Sequence, residues 1–192
     1  MFIEPATTFE RRGWIEVICG SMFSGKTEEL IRRLRRARIA RLRVAVFKPA
    51  VENRYHDENI VSHDETSLLS IPVPRATAML EQAGNADVVG IEEAQFFDEL
   101  LPAVCDALAL QGTRVIVAGL DMDFLGRPFG QMPVLLAKAD YITKLHAICM
   151  QCGNMAHYSY RKGRNTELVE LGNGELYEPR CRSCYEKGEL LK

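Results

Sequence analysis

Gly20-Ser21-Met22-Phe23-Ser24-Gly25-Lys26-Thr27 fits the G-x-x-x-x-G-K-[ST] pattern of a phosphate-binding loop. The segment before it, Trp14-Ile15-Glu16-Val17-Ile18-Cys19, is short, mostly apolar and β-prone, as a buried strand is. After it, Leu30, Ile31, Leu34 and Ala37 draw one apolar helix face, with Arg32, Arg33, Arg35 and Arg36 mostly off it. The loop thus stands between a strand and a helix, the context its chemistry needs. Gly20 and Gly25 let the backbone curl closely around phosphates. Backbone N–H groups and the helix N-terminus supply partial positive charge. Lys26 suits the β- and γ-phosphates, and the Thr27 hydroxyl suits Mg²⁺.

The chain has 192 residues, 47% hydrophobic and 26% charged, with a net charge of −2. That length holds one sizeable domain, or one domain plus an appendage. The charge creates no field toward nucleic acid or membrane, and no apolar run is long enough to span a bilayer. Met1-Phe2-Ile3-Glu4-Pro5 lacks the basic-then-apolar pattern of an export signal, so a cytoplasmic location is expected. In that compartment six cysteines suggest metal or free thiols more than disulfides.

Further along, strands are expected at 43–48, near 71–73 and at 87–91, 113–118 and 141–147. Helices are expected at 75–83, 96–110 and 134–139, with Pro102 tolerated only in a first turn. Residues 50–66 read as a long mobile loop, and 121–131 as a second loop. Alternating strands and helices imply an α/β fold with a parallel sheet covered on both faces, extending over 1–148. Residues 149–192 read as a small β lobe. The arginines from Arg32 to Arg43 read as a solvated helix face or a subunit contact in preference to a nucleic-acid site.

Val88-Val89-Gly90-Ile91 ends in Glu92-Glu93. A phosphate-loop protein needs an acidic residue at the end of a neighbouring strand to hold Mg²⁺. In an extended backbone, successive side chains point to opposite sides. Glu92 can then face the metal while Glu93 accepts the proton of an attacking hydroxyl. An ATPase in which Glu93 orients water fits the same residues. Cys149-x-x-Cys152 and Cys181-x-x-Cys184 suit a tetrahedral structural zinc site, set against four free or disulfide-bonded thiols. Cys19 and Cys105 fall in expected core elements.

With these motifs assembled, the chain resembles the cytosolic, zinc-containing (type II) thymidine kinases over residues 14 to 185. The marks are the loop at 20–27, Arg54-Tyr55, His63-Asp64, Glu93-Ala94-Gln95-Phe96-Phe97, Gly119-Leu120-Asp121, Arg127-Pro128-Phe129-Gly130 and Cys149-x-x-Cys152. The most specific is Gly174-Glu175-Leu176-Tyr177-Glu178-Pro179-Arg180-Cys181-Arg182-Ser183-Cys184-Tyr185. The resemblance implies transfer of the γ-phosphoryl group of ATP to the 5′-hydroxyl of thymidine or deoxyuridine, with Glu93 as proton acceptor. Gly20 to Thr27, Glu92 and Gln95 would serve the nucleotide side. Met22, Leu120 and Tyr177 would surround the thymine methyl, and Phe96, Phe124 and Phe129 would wall the base. Ser159 and backbone near Leu168, Leu171 and Gly172 would bind the pyrimidine edge, on a loop held by zinc at Cys149, Cys152, Cys181 and Cys184. Arg54 and Glu52 would lie near sugar and phosphates. Cofactors implied are ATP, Mg²⁺ and structural Zn²⁺. A homotetramer inhibited by thymidine triphosphate is implied too, with no nucleic-acid or membrane partner. The family commonly has Asp where this chain has Glu92 and Glu52, and the extra methylene moves the carboxylate by roughly 1.5 Å. Glu170 stands where relatives are often apolar.

Overall fold

The computed structural model describes residues 13–50, 59–61, 67–163 and 176–190. The first turn of the chain's logic is local. Strand β1 (Trp14–Gly20) runs into the phosphate loop, and helix α1 (Lys26–Ile39) leaves it. Strand β2 (Val44–Pro49) follows, then a hairpin of β3 (Asn59–Val61) and β4 (Ser67–Leu69), then β5 (Ile71–Val73) and α2 (Ala78–Gln82). Strand β6 (Val88–Ile91) leads through a 3-10 turn (Ala94–Phe96) to α3 (Leu101–Leu110) and β7 (Arg114–Leu120). Helix α4 (Met132–Lys138) and β8 (Tyr141–Leu145) complete a six-stranded sheet in the order β5-β2-β6-β7-β1-β8, parallel throughout.

Side-chain alternation builds two cores from one sheet. Val17 and Cys19 of β1, with Val89, Ile91, Val115 and Val117, face Met79, Leu101, Val104, Leu108, Met132 and Leu135 of α2, α3 and α4. Ile18, Val46, Val88, Ile116 and Ala118 face Leu30, Ile31, Leu34 and Ala37 of α1. Both faces are covered, which is why these strands read as nearly continuous apolar runs. Helix α1 lies close to the sheet at Gly90, where a Cβ would stand 2.8 Å from Leu34 Cδ1.

One charged group breaks the apolar run. Glu16 lies fully buried in β1, on the α1 side. It accepts hydrogen bonds from Trp14 Nε1 (2.7 Å), Arg33 Nη1 (2.7 Å) and Arg114 Nε (2.6 Å). Arg33 also bonds Glu29 Oε1 and Thr143 Oγ1, each at 2.8 Å. Arg33 is therefore not part of a solvated face, as the arginine cluster suggested. It is fully buried, while Arg32, Arg35, Arg36 and Arg38 are exposed. Burial is permitted because carboxylates on β1 and α1 meet its guanidinium from two directions.

Several expected boundaries move, for physical reasons. Helix α3 begins at Leu101 instead of 96, because Pro102, lacking an N–H, must lie in the first turn. Pro49 ends β2 from within, and residues 59–61, expected as loop, pair with β4. The strand expected over 141–147 stops at Leu145, because its partner β1 ends at Gly20, the residue opposite. Ala147 then enters a different ladder, β9 (Ala147–Ile148) against β10 (Met155–Ala156). Beyond it, β11 (Tyr158–Arg161) pairs with β12 (Tyr177–Arg180), and α5 (Arg182–Glu189) follows. The C-terminal segment was expected to be β alone, so α5 is an addition. The rest of the loop expected over 50–66, at 51–58 and 62–66, lies outside the described residues.

Glu16→Gln should lower the unfolding free energy by about 3–5 kcal/mol, because it removes the buried carboxylate charge to which the guanidinium groups of Arg33 and Arg114 both donate. Urea unfolding of the variant beside its parent measures this. A loss under ~1 kcal/mol would mean that the network contributes nothing beyond packing.

Candidate active site

The sheet order sets β1 and β6 on either side of β7, so the carboxyl ends of all three open together. In open α/β sheets that rim is where ligands bind. Gly20, Glu92 and Asp121 follow or end these three strands. The loop from β1 curls through Phe23 (φ 62°) and Gly25 (φ 83°), both left-handed. Gly25 then starts α1, with the Glu29 N–H bonded to its carbonyl at 3.0 Å. The first-turn N–H groups of α1 are thus directed at the rim.

Lys26 folds back on its own loop, with Nζ donating to the Ser21 carbonyl at 2.8 Å. Burial pulls its ammonium pKa down, against the opposing fields of Glu93, Glu92 and Asp121. Thr27 Oγ1 donates to Glu92 Oε1 at 2.7 Å. Glu92 is buried, and burial, reinforced by the charge of Glu93, raises its carboxyl pKa to about 8. Its second oxygen, Oε2, is buried with no hydrogen-bond partner among the described residues, as are Ser21 Oγ, Ser24 Oγ and Asp121 Oδ1. Buried oxygens left unpaired beside a phosphate loop fit a hard cation and a polyphosphate. Thr27 and Glu92 are therefore the pair that could hold Mg²⁺. Asp121 had no role assigned from sequence, and its Oδ2 bonds Lys144 Nζ at 2.7 Å.

Glu93 departs from expectation in backbone. Alternation along an extended strand was to separate it from Glu92, but the strand has ended, and Glu93 is left-handed with φ 52° and ψ 43°. The 3-10 turn that follows bonds Phe96 N–H to the Glu93 carbonyl at 3.1 Å. At this kinked backbone, where a straight one was expected, Glu93 is exposed while Glu92 beside it is buried. Gln95 Nε2 donates to Glu93 Oε2, and Gln95 Oε1 accepts the Leu120 N–H at 2.9 Å.

The aromatic residues expected around an acceptor base fall into two groups. Phe96 and Phe129 meet edge to face, with centroids 5.5 Å apart. Phe124 carries the Arg161 guanidinium 3.6 Å from its ring centroid, and Arg161 Nε donates to the Tyr177 hydroxyl at 3.0 Å. Arg161 is buried and was not anticipated, since a buried cation inside a strand has no sequence signal apart from the aromatic residues that cover it. Met22 and Leu120 are half-buried. Arg54, Leu168, Leu171 and Gly172, with Glu52 and Glu170, lie outside the described residues.

Cys149, Cys152, Cys181 and Cys184 bring their sulfurs within 4.8 Å of one another. With Zn–S near 2.3 Å, a tetrahedral site sets its sulfurs about 3.8 Å apart, so the cluster fits zinc. Burial would raise the Cys149 thiol, but hydrogen bonds from the backbone at Cys181, Gln151 and Cys152 outweigh it and bring its pKa to about 6. Cys19 and Cys105 are core residues, as expected. Three contacts tie the cluster's surroundings to the rim. Phe23 of the phosphate loop packs against the small buried cluster of Ala147, Cys149 and Ala156, against which Cys181 and Cys184 also pack. Met22 N–H donates to Ser159 Oγ at 3.0 Å. Tyr185 of α5 donates its hydroxyl to the Phe124 carbonyl at 2.9 Å.

No helix among the described residues is long and apolar enough to cross a membrane. The family model described as thymidine kinase matches residues 13–185. A thymidine kinase from Rhodothermus sp. is 60% identical over 174 residues, covering 91% of this chain and 82% of the relative. The thymidine kinase of Bacteroides thetaiotaomicron is 58% identical over 175 residues, 91% of this chain and 88% of its own. That of Porphyromonas gingivalis is 56% identical over 177 residues, 92% and 87% of the two chains. Phosphate loop, acidic strand end and four-cysteine cluster all fall inside the matched span, and the chain belongs to the thymidine kinase family of phosphotransferases.

Proposed function

We propose that this chain transfers the γ-phosphoryl group of ATP to the 5′-hydroxyl of thymidine, and of deoxyuridine, with Glu93 as the proton acceptor. The observation that carries the proposal is the Thr27–Glu92 hydrogen bond at the rim, with Glu92 Oε2 buried and unpartnered and Glu93 turned out beside it. The loop from Gly20 to Thr27 binds the triphosphate through backbone N–H groups, and Lys26 exchanges its bond to the Ser21 carbonyl for phosphate oxygen. Mg²⁺, held by Thr27 and Glu92, would neutralise charge on the transferring phosphoryl group. Glu93 takes the proton of the 5′-hydroxyl late, because the transition state is loose and little bonding precedes transfer.

For the acceptor, Phe96, Phe124 and Phe129 wall the base, and Met22, Leu120 and Tyr177 surround the methyl. Ser159, already bonded to the Met22 N–H, keeps its own hydroxyl proton free to turn toward the pyrimidine edge. Arg54, Leu168, Leu171 and Gly172 complete the proposed pocket. Residues 149–192 form a zinc-held lobe on the kinase domain at 1–148, and the zinc has a structural role, since four thiolates leave it no open position. A cytoplasmic homotetramer under feedback by thymidine triphosphate belongs to the same proposal.

Incubation with Mg-ATP and a nucleoside panel should give ADP only with thymidine and deoxyuridine, since a narrow aromatic slot with fixed hydrogen bonds admits one small flat ring. ADP formed without nucleoside, or with deoxyguanosine at comparable kcat/KM, would end the proposal. Glu93→Gln should keep both ligands bound and lower kcat by about 10²-fold or more, the usual worth of a general base. A turnover near wild type would remove Glu93 from the reaction.

Cys181→Ser should abolish thymidine binding in calorimetry, because zinc affinity is folding free energy for the segment between the cysteine pairs. Binding of a non-hydrolysable ATP analogue should weaken by less than about tenfold, the loss arising through Phe23 and Met22. Unchanged thymidine binding would show that the cysteines do not hold the acceptor site.

A further inference from the structure

We infer that Gln95 is a positioning residue that aims the Glu93 carboxylate and does not bind the phosphate donor. The inference deepens the proposed role of Glu93 and rests on it. Gln95 stands in the 3-10 turn after β6 and is buried, at 3% exposure. Both ends of its carboxamide are engaged by the protein itself. Leu120 N–H, at the last residue of β7, donates to Oε1 at 2.9 Å. A backbone N–H can only donate, so this contact decides which end of the amide is oxygen. The nitrogen is thereby turned the other way, and it donates to Glu93 Oε2.

Glu93 needs such a restraint. Its side chain is exposed, and a free glutamate loses much rotamer entropy when held in one geometry. A hydrogen bond from a buried amide confines one carboxylate oxygen and leaves the other, Oε1, to meet a hydroxyl proton. A charged acceptor also strengthens that bond. The space around Gln95 is shaped to keep it in place. A Cβ on Gly119 would lie 2.9 Å from Gln95 Oε1, and one on Gly130 would lie 2.3 Å from its backbone carbonyl. Leu120, expected at the thymine methyl, thus anchors the proton acceptor through Gln95, so base and acceptor pocket share one reference point.

Two variants test this by different routes. Gln95→Met keeps the length and removes donor and acceptor. Gly119→Ala keeps Gln95 but pushes on its Oε1. The other close neighbour of that new methyl is Met132 Sδ, a flexible thioether at 2.7 Å, so the fold should accommodate it. Each variant should lower kcat tenfold or more while KM for ATP and for thymidine changes by less than about twofold. In a Glu93→Gln background, Gln95→Met should lower kcat by less than about twofold further, because the group being aimed is gone. Should Gln95→Met fail to fold, Gly119→Ala carries the same comparison. Losses that multiply in the double variant, a loss appearing as raised KM for ATP, or kcat unchanged in the single variants would each overturn the inference. The outcomes separate the two layers. An inactive Glu93→Gln with an unaffected Gln95→Met refutes the positioning role alone, and a fully active Glu93→Gln refutes both.

Discussion

Glu16 places a carboxylate inside the sheet, and the rest of the rim depends on how that charge is met. Arg114 reaches it from the neighbouring strand, and Arg33 reaches it from the helix above. Arg33 continues to Thr143 on β8 and to Glu29 on its own helix. Four elements are therefore tied at one buried point. A buried ion pair is weak evidence for stability, since desolvation offsets much of the attraction. What it does impose is geometry, because a guanidinium with fixed donors permits one placement of α1 over β1. The first two residues of α1, Lys26 and Thr27, end the phosphate loop, so the network also bears on where that loop meets the strand ends.

At those ends the two adjacent acidic residues are separated by backbone conformation. Glu92 still belongs to the buried strand end and is held by Thr27. Glu93 sits in the left-handed region, where a non-glycine residue persists only if its surroundings hold it. One residue is buried toward the helix, and the next emerges beside the open rim. Two carboxylates with contrasting environments suit two roles, one toward a cation and one toward a proton.

The cysteine cluster is not remote from this chemistry. Phe23, at the turn of the phosphate loop, packs against the same buried cluster of Ala147, Cys149 and Ala156 that Cys181 and Cys184 pack against, and the neighbouring Met22 N–H is bonded to Ser159 on β11. Tyr185, just after the last cysteine, holds the Phe124 carbonyl. A metal that fixes the cluster therefore bears on the phosphate loop and on the loop at 121–131 together.

Much was legible in the chain alone. The alternation of apolar runs with turn residues determined the parallel α/β sheet, since strands covered on both faces must be apolar on both sides. The glycine-lysine-threonine loop, the acidic strand end and the paired cysteines determined the type of chemistry, because each is a local spacing with a local cause. The likeness of the Gly174–Tyr185 segment to type II thymidine kinases pointed to a family that the comparisons then bore out. Tertiary structure alone decided that Arg33 is buried, that Glu93 is left-handed, that Asp121 stands in the field of Lys26, and that Gln95 bridges Glu93 and Leu120. The buried Arg33 and the bridging Gln95 depend on groups distant in sequence: Glu16 lies 17 residues from Arg33, and Leu120 lies 25 from Gln95. Periodicity reports which face a residue occupies. It carries no information on which partner will stand opposite, and a buried charge or a directed amide is fixed by that partner.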